Sequence, residues 1–271
     1  MAFENVIAVI TGGSSGIGLA LAKQLAAQGA HVWLVARDEE KLQAALSSVQ
    51  EATLSSEQNC GYVKADVSLY EQVEQAFKEI SEKAGTPDLV INSAGVVHPG
   101  RFVDLELEKF HWMMDINYFG TLHTIKAVLP AMLSRGSGYL VNISSAAGFA
   151  GLFGYSAYGS SKYAVSGLSD VLRAELKPEG ITVSIVFPPD TDTPQLAYEN
   201  QFKPPETKAL AGAAKPMTAE QVAKLILRDI QRGKYLILPG DTKLLFKLQN
   251  LLGGWLYPLM DFLIRNARRN H

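Results

Sequence analysis

Tyr158 and Lys162 are the residues whose types and spacing most directly suggest acid–base chemistry. They lie four residues apart in the run Tyr155-Ser-Ala-Tyr158-Gly-Ser-Ser-Lys162, which places both side chains on one face of a helix. A free tyrosine loses its proton at about pH 10, so proton transfer near neutrality needs a neighbouring positive charge that favours the phenolate. Lys162 supplies that charge. Pairs with this spacing also occur on ordinary helices, so the prediction depends on the other motifs of the chain.

A glycine-rich turn near the N-terminus predicts a phosphate-binding site. The segment Thr11-Gly12-Gly13-Ser14-Ser15-Gly16-Ile17-Gly18 follows the apolar run Val6 to Ile10 and precedes an amphipathic helical pattern. Glycines let the backbone turn tightly and approach a ligand, and the N-terminus of the next helix presents unpaired N–H groups to a pyrophosphate. The spacing GxxxGxG differs from the GxGxxG fingerprint of many dinucleotide-binding proteins. A purely structural turn is the alternative.

Strand-like apolar runs alternate with helical stretches along the chain, at 6–10, 31–36, 61–65, 88–91, 138–144, 182–187 and 235–238. This alternation predicts one doubly wound α/β domain of the Rossmann type over residues 1–240, with a mostly parallel seven-stranded sheet. Ligands bind at the carboxyl ends of such strands, where the pattern places Gly12, Arg37, Asp66, Asn92 and Ser145. The least regular stretch, within residues 188–218, is predicted to be a substrate lid.

Four motifs in this order resemble the short-chain dehydrogenase/reductase family over Val6 to about Leu238. They are the glycine turn, Asn92-Ser-Ala-Gly95 after an apolar strand, Asn117 in a helical stretch, and Ser144-Ser145 ahead of the Tyr158 and Lys162 pair. The resemblance implies that Tyr158 donates a proton, that Lys162 activates it and anchors a ribose, that Ser145 holds the substrate oxygen, and that Asn117 shapes a proton relay. Ser145 lies thirteen residues before Tyr158, the family spacing, and Ser144 remains a substitute because strand ends are imprecise.

The same resemblance implies a nicotinamide cofactor and a mechanism of hydride transfer to a ketone. Lys162 is expected to lower the pKa of the Tyr158 phenol, which protonates the new alkoxide while Ser145 donates a hydrogen bond to it. The residues expected to contact the cofactor are Gly12, Ser14, Ser15, Gly16, Ile17, Gly18, Arg37, Lys41, Asp66, Val67, Asn92, Ala94, Gly95, Tyr158, Lys162, Pro188 and Thr191.

Arg37 favours NADPH over NADH, because a guanidinium suits a 2′-phosphate and Lys41 adds charge one helical turn later. Asp38 leaves an alternative open, since it either caps the following helix or binds a ribose 2′-hydroxyl and favours NAD. Asp66 is expected to touch the adenine ring, or alternatively to cap a helix from Val67 onward.

The stretch Phe187-Pro-Pro-Asp-Thr-Asp-Thr-Pro194, with Leu152 to Tyr158 and Leu34 to Arg37, resembles the 3-ketodihydrosphingosine reductases within that family. This resemblance implies reduction of the ketone of a long-chain sphingoid base, with Ser145 and Tyr158 at the ketone and Asp190 or Asp192 paired with the 2-ammonium group. Alternatively, Pro189 only stiffens a turn, and Asp190 and Asp192 are solvated or cap a helix. A reductase of another lipid-like ketone (a steroid, retinoid or fatty-acyl ketone) is the second hypothesis. A non-catalytic NADP-binding or membrane-docking protein is the third.

The C-terminal segment, residues 241–271, is apolar and ends in Arg265, Arg268 and Arg269. Its longest uncharged run, 248–260, is too short to span a bilayer, which needs about 20 residues. Trp255, Tyr257 and the basic flank favour a peripheral position at a membrane surface. The competing interpretation is a helix packed on the cleft or on another subunit.

Composition narrows the class of protein. The 271 residues are 47% hydrophobic with a formal net charge of −2 and no basic cluster on the main body, so nucleic acid binding is not expected. The single cysteine, Cys60, and the early first strand favour a reducing cytoplasm without a signal peptide. The five histidines have no metal-ligand spacing, and no metal is predicted. The family resemblance implies a homodimer or homotetramer.

Overall fold

The computed structural model describes residues 2–211 and 215–255, together with residues 258, 261, 262, 264 and 265. The strands are β1 (Ile7–Thr11), β2 (His31–Ala36), β3 (Gly61–Lys64), β4 (Leu89–Asn92), β5 (Gly138–Ile143), β6 (Ile181–Val186), β7 (Thr191–Asp192), β8 (Met217–Thr218) and β9 (Leu236–Ile237). The helices are α1 (Gly16–Ala26), α2 (Glu39–Gln50), α3 (Tyr70–Ala84), α4 (Leu107–Met113), α5 (Gly120–Arg135), α6 (Ser156–Leu176), α7 (Pro194–Phe202), α8 (Pro205–Ala211), α9 (Ala219–Gln231) and α10 (Thr242–Leu252).

Within the described residues, seven strands form one parallel sheet in the order β3-β2-β1-β4-β5-β6-β9. Each corresponds to one of the predicted runs within one or two residues, and the predicted fold class is confirmed. The strand order reverses between β1 and β4, so helices cover both faces and a crevice opens at the carboxyl ends of these two strands.

Two apolar layers enclose the sheet, because consecutive strand residues point to opposite faces. Ile10 belongs to the apolar cluster that includes residues of α1, α2 and α9, whereas its neighbour Val9 belongs to the cluster that includes residues of α3, α5 and α6. The strands are therefore buried on both sides, which explains why they are continuous apolar runs rather than alternating ones.

The lid region is more regular than its sequence indicates. Residues 188–218 include β7, α7, α8 and β8, and the two short strands pair in parallel through Thr191 with Met217 and Asp192 with Thr218. Thr193 caps α7 by accepting a hydrogen bond from the Leu196 N–H, and Pro194 occupies the first turn. Apolar residues of α7 follow no helical period, so the sequence pattern gave no indication of the helix.

Helix α10 packs one face of the C-terminal segment on the domain. The Phe246 ring lies 5.1 Å from that of Phe149 and 6.2 Å from that of Phe187. Among the helices of the described residues, none is both long and apolar enough to cross a membrane. The side chain of Trp255, and Tyr257, Arg268 and Arg269, lie outside the part of the chain that the structure describes.

Candidate active site

A cleft of about 390 Å³ lies at the carboxyl ends of the central strands, between the glycine turn and the lid. It brings together most of the residues predicted from the sequence, although they come from segments between residues 12 and 199. Those that line it are Gly12, Ser14, Ser15, Gly16, Ile17, Gly18, Arg37, Lys41, Val67, Ala94, Gly95, Ser145, Tyr158, Lys162, Pro188, Asp190 and Thr191. Asp66, Asn92, Asn117 and Asp192 do not line it.

The glycine turn permits close contact between backbone segments. Gly12 has φ +67°, and a Cβ there would lie 2.7 Å from the Ala94 backbone. A Cβ at Gly18 would lie 2.4 Å from the Gly12 carbonyl oxygen. The first turn of α1, all of it described, contains no acidic residue, and the Ser15 side chain makes no capping hydrogen bond. The first-turn N–H groups are therefore available to an anion, and this arrangement fits the pyrophosphate of a dinucleotide.

Charged residues after β2 form two ion pairs at the cleft. Asp38 caps α2, since its Oδ1 accepts a hydrogen bond from the Lys41 N–H at 3.1 Å, and its Oδ2 lies 2.9 Å from the Lys41 Nζ. These hydrogen bonds from Lys41 lower the pKa of Asp38. Arg37 lies 3.5 Å from Asp66 and is otherwise exposed. The helix-cap alternative for Asp38 is confirmed.

Asp66 stabilises a turn rather than a helix. Its carboxylate accepts hydrogen bonds from the N–H and hydroxyl of Ser68 at 2.9 and 2.7 Å. Helix α3 begins only at Tyr70, with Leu69 as its N-cap. The alternative that Asp66 caps a helix from Val67 onward is therefore wrong. The Asp66 carboxylate pairs with Arg37, which lines the cleft.

Asn92 and Asn117, both predicted as site residues, are buried behind the cleft wall. The Asn92 amide donates to Asn142 Oδ1 at 2.8 Å across the sheet, because a strand residue points into one layer and not along the strand end. Direct cofactor contact by its side chain is therefore not supported. Asn117 lies in a π-helical turn and bonds both the N–H and C=O of Val96, as well as the Ser161 hydroxyl.

Asn117 thus ties the loop after β4 to helix α6. A Cβ on Gly95 would lie 3.3 Å from Asn117 Oδ1 and 3.4 Å from Lys162 Nζ, so both side chains approach the same point of the loop. Asn117 is a positioning residue for the Lys162 side of the cleft.

Tyr158, Lys162 and Ser145 converge as predicted. Helix α6 carries Tyr158 and Lys162 on one buried face, with the Lys162 Nζ 5.8 Å from the centre of the Tyr158 ring. The Lys162 ammonium donates to the Ile143 carbonyl at 2.9 Å, at the end of β5. Ser145 follows β5, and its hydroxyl interacts with the Tyr158 hydroxyl.

The geometry favours Ser145 over Ser144. The Ser144 hydroxyl is buried and bonds the Lys162 carbonyl at 3.1 Å and the Ser166 hydroxyl at 3.3 Å. Ser145 faces the tyrosine instead and accepts a hydrogen bond from the Ala147 N–H at 3.2 Å. Consecutive residues of an extended segment point in opposite directions, which separates the two serines.

Burial determines the pKa values of the central pair. It raises the pKa of Tyr158 above the ordinary value, although the hydrogen bond with Ser145 acts in the opposite direction and the charges of Glu199 and Asp190 raise it further. It also lowers the pKa of Lys162 to about 8. The net pKa of the phenol is therefore raised in the protein without cofactor, because burial outweighs the lowering that the sequence led us to expect. A phenol is protonated near neutrality even at its ordinary pKa, and the raised pKa makes Tyr158 a weaker acid until a positive charge stabilises its phenolate.

The acids of the lid are divided by the structure. Asp190 lines the cleft, whereas Asp192 on β7 is exposed and lies outside it.

Sequence reasoning missed Glu199 and Lys203 of the α7 region. Glu199 lines the cleft and pairs with Lys203 at 2.9 Å. In a sequence, a glutamate four residues before a lysine is typical of a solvated helix surface, and only burial distinguishes this pair.

Comparisons with known proteins agree with the predicted fold and family. The short chain dehydrogenase family model matches residues 6–204. A 3-ketodihydrosphingosine reductase of Bos taurus is 42% identical over 236 residues, which cover 87% of this chain and 71% of that protein. Another, of Dictyostelium discoideum, is 37% identical over 94% of this chain and 81% of that protein.

A solved short chain dehydrogenase/reductase from Burkholderia phymatum, in complex with NAD, superimposes with a TM-score of 0.80. It is 26% identical and the match covers 93% of this chain and 95% of that one. A doubly wound sheet with a glycine turn and a buried tyrosine–lysine pair defines the class of nicotinamide-dependent oxidoreductases. The chain belongs to the short-chain dehydrogenase family, as its motifs predicted.

Proposed function

We propose that this enzyme reduces the ketone of a long-chain sphingoid base, converting 3-ketodihydrosphingosine to dihydrosphingosine with NADPH. The observation that carries the proposal is the similarity to 3-ketodihydrosphingosine reductases over most of the chain, including the lid that borders the cleft. The cleft supplies the groups that this reduction needs, in positions where one ketone oxygen can reach Ser145 and Tyr158.

Ser145 and Tyr158 act on the ketone oxygen. The nicotinamide cofactor, when bound, supplies hydride to the ketone carbon. Ser145 donates a hydrogen bond to the oxygen on which negative charge develops, and the preorganised hydroxyl stabilises this charge. Tyr158 then transfers its phenolic proton to the oxygen. Burial raises its pKa and makes it a weaker acid, so the transfer depends on stabilisation of the phenolate by a nearby positive charge. The product is the secondary alcohol.

Lys162 restores the proton on Tyr158, and Asn117 positions the loop beside Lys162. The ammonium of Lys162 stabilises the phenolate left after transfer, because an opposite charge in a buried site favours the ionised form. Its pKa of about 8 allows it to lose or gain a proton near neutrality. Asn117 holds the loop that borders Lys162 through its two bonds to Val96. A proton relay that leads to Lys162 therefore runs beside Asn117.

Arg37 supports the choice of NADPH. Asp38 caps α2 through its contacts with Lys41, and the Lys41 ammonium beside its carboxylate offsets the negative charge that would repel a 2′-phosphate. Arg37 has a largely exposed guanidinium at the end of β2, and it is able to form paired hydrogen bonds with a 2′-phosphate.

The test is a substrate and cofactor panel with the full chain. The rate is measured as the loss of reduced nucleotide. We expect the highest kcat/KM with NADPH and 3-ketodihydrosphingosine. The other ketones are an amine-free ketone of equal chain length, a steroid ketone, a retinoid and a fatty-acyl ketone. Turnover of these but not of the sphingoid ketone would favour the second hypothesis, and a preference for NADH would contradict the cofactor assignment.

We further propose that the exposed face of α10 contacts an anionic membrane surface. Leucines at 244, 248, 251 and 252 recur at helical spacing and are exposed, while Phe246 faces the domain. Lys243 and Lys247 are exposed beside them. An apolar stripe with flanking lysines is typical of helices that lie in the interface of a bilayer, and a lipid substrate would enter the cleft from there.

Vesicle flotation tests this contact. The full chain should float with phosphatidylcholine vesicles that contain phosphatidylserine, and Leu251→Glu should reduce the floated fraction severalfold. Leu251 is 82% exposed, and Leu54, 71% exposed on a loop after α2, provides the matched control Leu54→Glu. Absence of flotation by the wild type, or equal loss in both variants, would contradict the proposal.

A further inference from the structure

The lid places two carboxylates and one ammonium beside the proton donor. Lys203 Nζ lies 2.9 Å from Glu199 and 3.6 Å from Asp190. The Tyr155 hydroxyl donates a hydrogen bond to Glu199 Oε1, and the Tyr155 ring lies 6.0 Å from the Tyr158 ring. We call Asp190, Glu199 and Lys203 the lid triad.

The lid triad carries a net negative charge toward the cleft. Both carboxylates line the cleft, whereas Lys203 is buried and is not part of its lining. The side chain of Lys203 is 4% exposed and that of Glu199 is 11% exposed. Two anions share one cation in this wall: Glu199 is the closer partner of Lys203, whereas the Asp190 side chain is 58% exposed and lies 3.6 Å from Lys203. The excess negative charge therefore faces the open cleft, where a bound cation can pair with it.

The field of these two carboxylates reaches the reacting groups. Their charges raise the pKa of both Tyr155 and Tyr158, after the larger contribution of burial. A cation bound between the lid triad and Tyr158 would offset this effect. The position therefore attracts a positive charge close to the ketone.

We propose that Glu199, together with Asp190, binds the ammonium group that a sphingoid ketone carries on the carbon next to the reacting carbonyl. This inference rests on the proposed function and assigns its amine specificity. The amine-bearing carbon is bonded directly to the ketone carbon, so the ammonium must lie beside Tyr158, where Tyr155 and Glu199 are found. A charge-assisted hydrogen bond to a carboxylate is the contact that distinguishes the amine from a neutral substituent. Asp192, exposed and outside the cleft, has no part in it.

Glu199→Gln tests the assignment, because the amide oxygen can still accept hydrogen bonds from Tyr155 and Lys203 while the negative charge is lost. Thermal unfolding of the variant checks that the weakened pair with Lys203 leaves the fold intact. The measured quantity is the ratio of kcat/KM for 3-ketodihydrosphingosine to that for 1-hydroxyoctadecan-3-one, with saturating NADPH. We expect this ratio to fall by about tenfold or more. Glu199→Asp, which keeps the charge, should recover part of it. Asp192→Asn is the matched control. It removes one carboxylate charge from the exposed end of β7, and it should leave the ratio within about twofold of the wild-type value.

If Glu199→Gln lowers kcat/KM equally for both ketones, the proposal is overturned, and the lid triad only holds α7 in place. A second readout separates this failure from failure of the proposed function. In the presence of NADPH, octylamine should bind the wild type more tightly than 1-octanol, and Glu199→Gln should remove the difference. If the wild type does not reduce the sphingoid ketone but shows this preference, the proposed function fails and the amine site stands. If amine and alcohol bind equally, the amine site fails.

Discussion

The two sides of the cleft are built by different means. The cofactor side consists of the glycine turn, the ends of β1, β2 and β4, and the N-terminus of α1, and glycines and other small residues make up much of its lining. The substrate side consists of the loop after β5 and the lid, and side chains distant in sequence join it. Tyr155 bonds Glu199 across 44 positions, and Arg101 bonds Glu206 across 105 positions at 2.8 Å.

This difference explains why one side is easier to infer than the other. A site that binds a ligand through the backbone needs glycine and other small residues, and these form a motif that is visible in the local sequence. A site made of paired side chains depends on which helix packs beside which loop. Tyr158 and Lys162 lie at the boundary, since one buried helix face presents them to both sides.

The largest expected effect concerns the boundary itself. Tyr158→Phe removes only the hydroxyl, so kcat should fall on the order of 10²–10⁴-fold, while NADPH affinity changes little. Steady-state kinetics and a fluorescence titration with NADPH measure the two quantities. Tyr163→Phe, at a half-exposed position on the same helix and outside the cleft, is the control. Parallel loss of NADPH binding would show that the two sides are not separable at this residue.

Next in size is the contrast between the two serines. Ser145→Ala should lower kcat by about 10²-fold, because it removes a donor to the developing oxyanion. Ser144→Ala removes bonds to Lys162 and Ser166 within the domain, so it should lower Tm with a smaller effect on kcat. Kinetics and thermal unfolding of both variants measure this. The reverse pattern would make Ser144 the serine at the substrate.

A smaller effect is expected on the cofactor side. Arg37→Ala should lower kcat/KM for NADPH by about tenfold and leave that for NADH nearly unchanged, because only the 2′-phosphate contact is lost. Lys64→Ala is the control, as Lys64 is an exposed cation that pairs with Glu39 outside the cleft. Equal losses with both nucleotides would indicate that Arg37 only stabilises the domain.

The smallest expected effect tests whether water is excluded from Lys162, at the boundary between the two sides of the cleft. Burial lowers the pKa of Lys162 from 10.5 to about 8 in the folded protein. Between these values the unfolded chain binds more protons than the folded one, so this residue makes the free energy of unfolding rise with pH. From about pH 7.5 to about pH 9, the wild type should gain about 1 kcal/mol relative to Lys162→Met.

Urea unfolding of the cofactor-free protein at the two pH values gives this difference. Lys126→Met, on the exposed side of α5, should show no such change relative to the wild type. If the difference in free energy of unfolding between the wild type and Lys162→Met is the same at both pH values, water reaches the Lys162 ammonium and fills the space between the two sides of the cleft.

The sequence by itself determined the sheet, the glycine turn, the family and the tyrosine–lysine pair. Strands buried on both faces must be continuous apolar runs, and a turn that approaches a ligand by its backbone must consist of small residues. These are local requirements, and for that reason they can be read without the fold.

Tertiary structure alone decided the rest. It placed Asn92 in the sheet rather than in the cleft, left Asp192 outside, and made Glu199 and Lys203 a buried part of the substrate side. It also raised the pKa of Tyr158, where the neighbouring lysine had suggested the opposite. Burial and long-range pairing have no local pattern, because each depends on which segments the whole fold brings into contact.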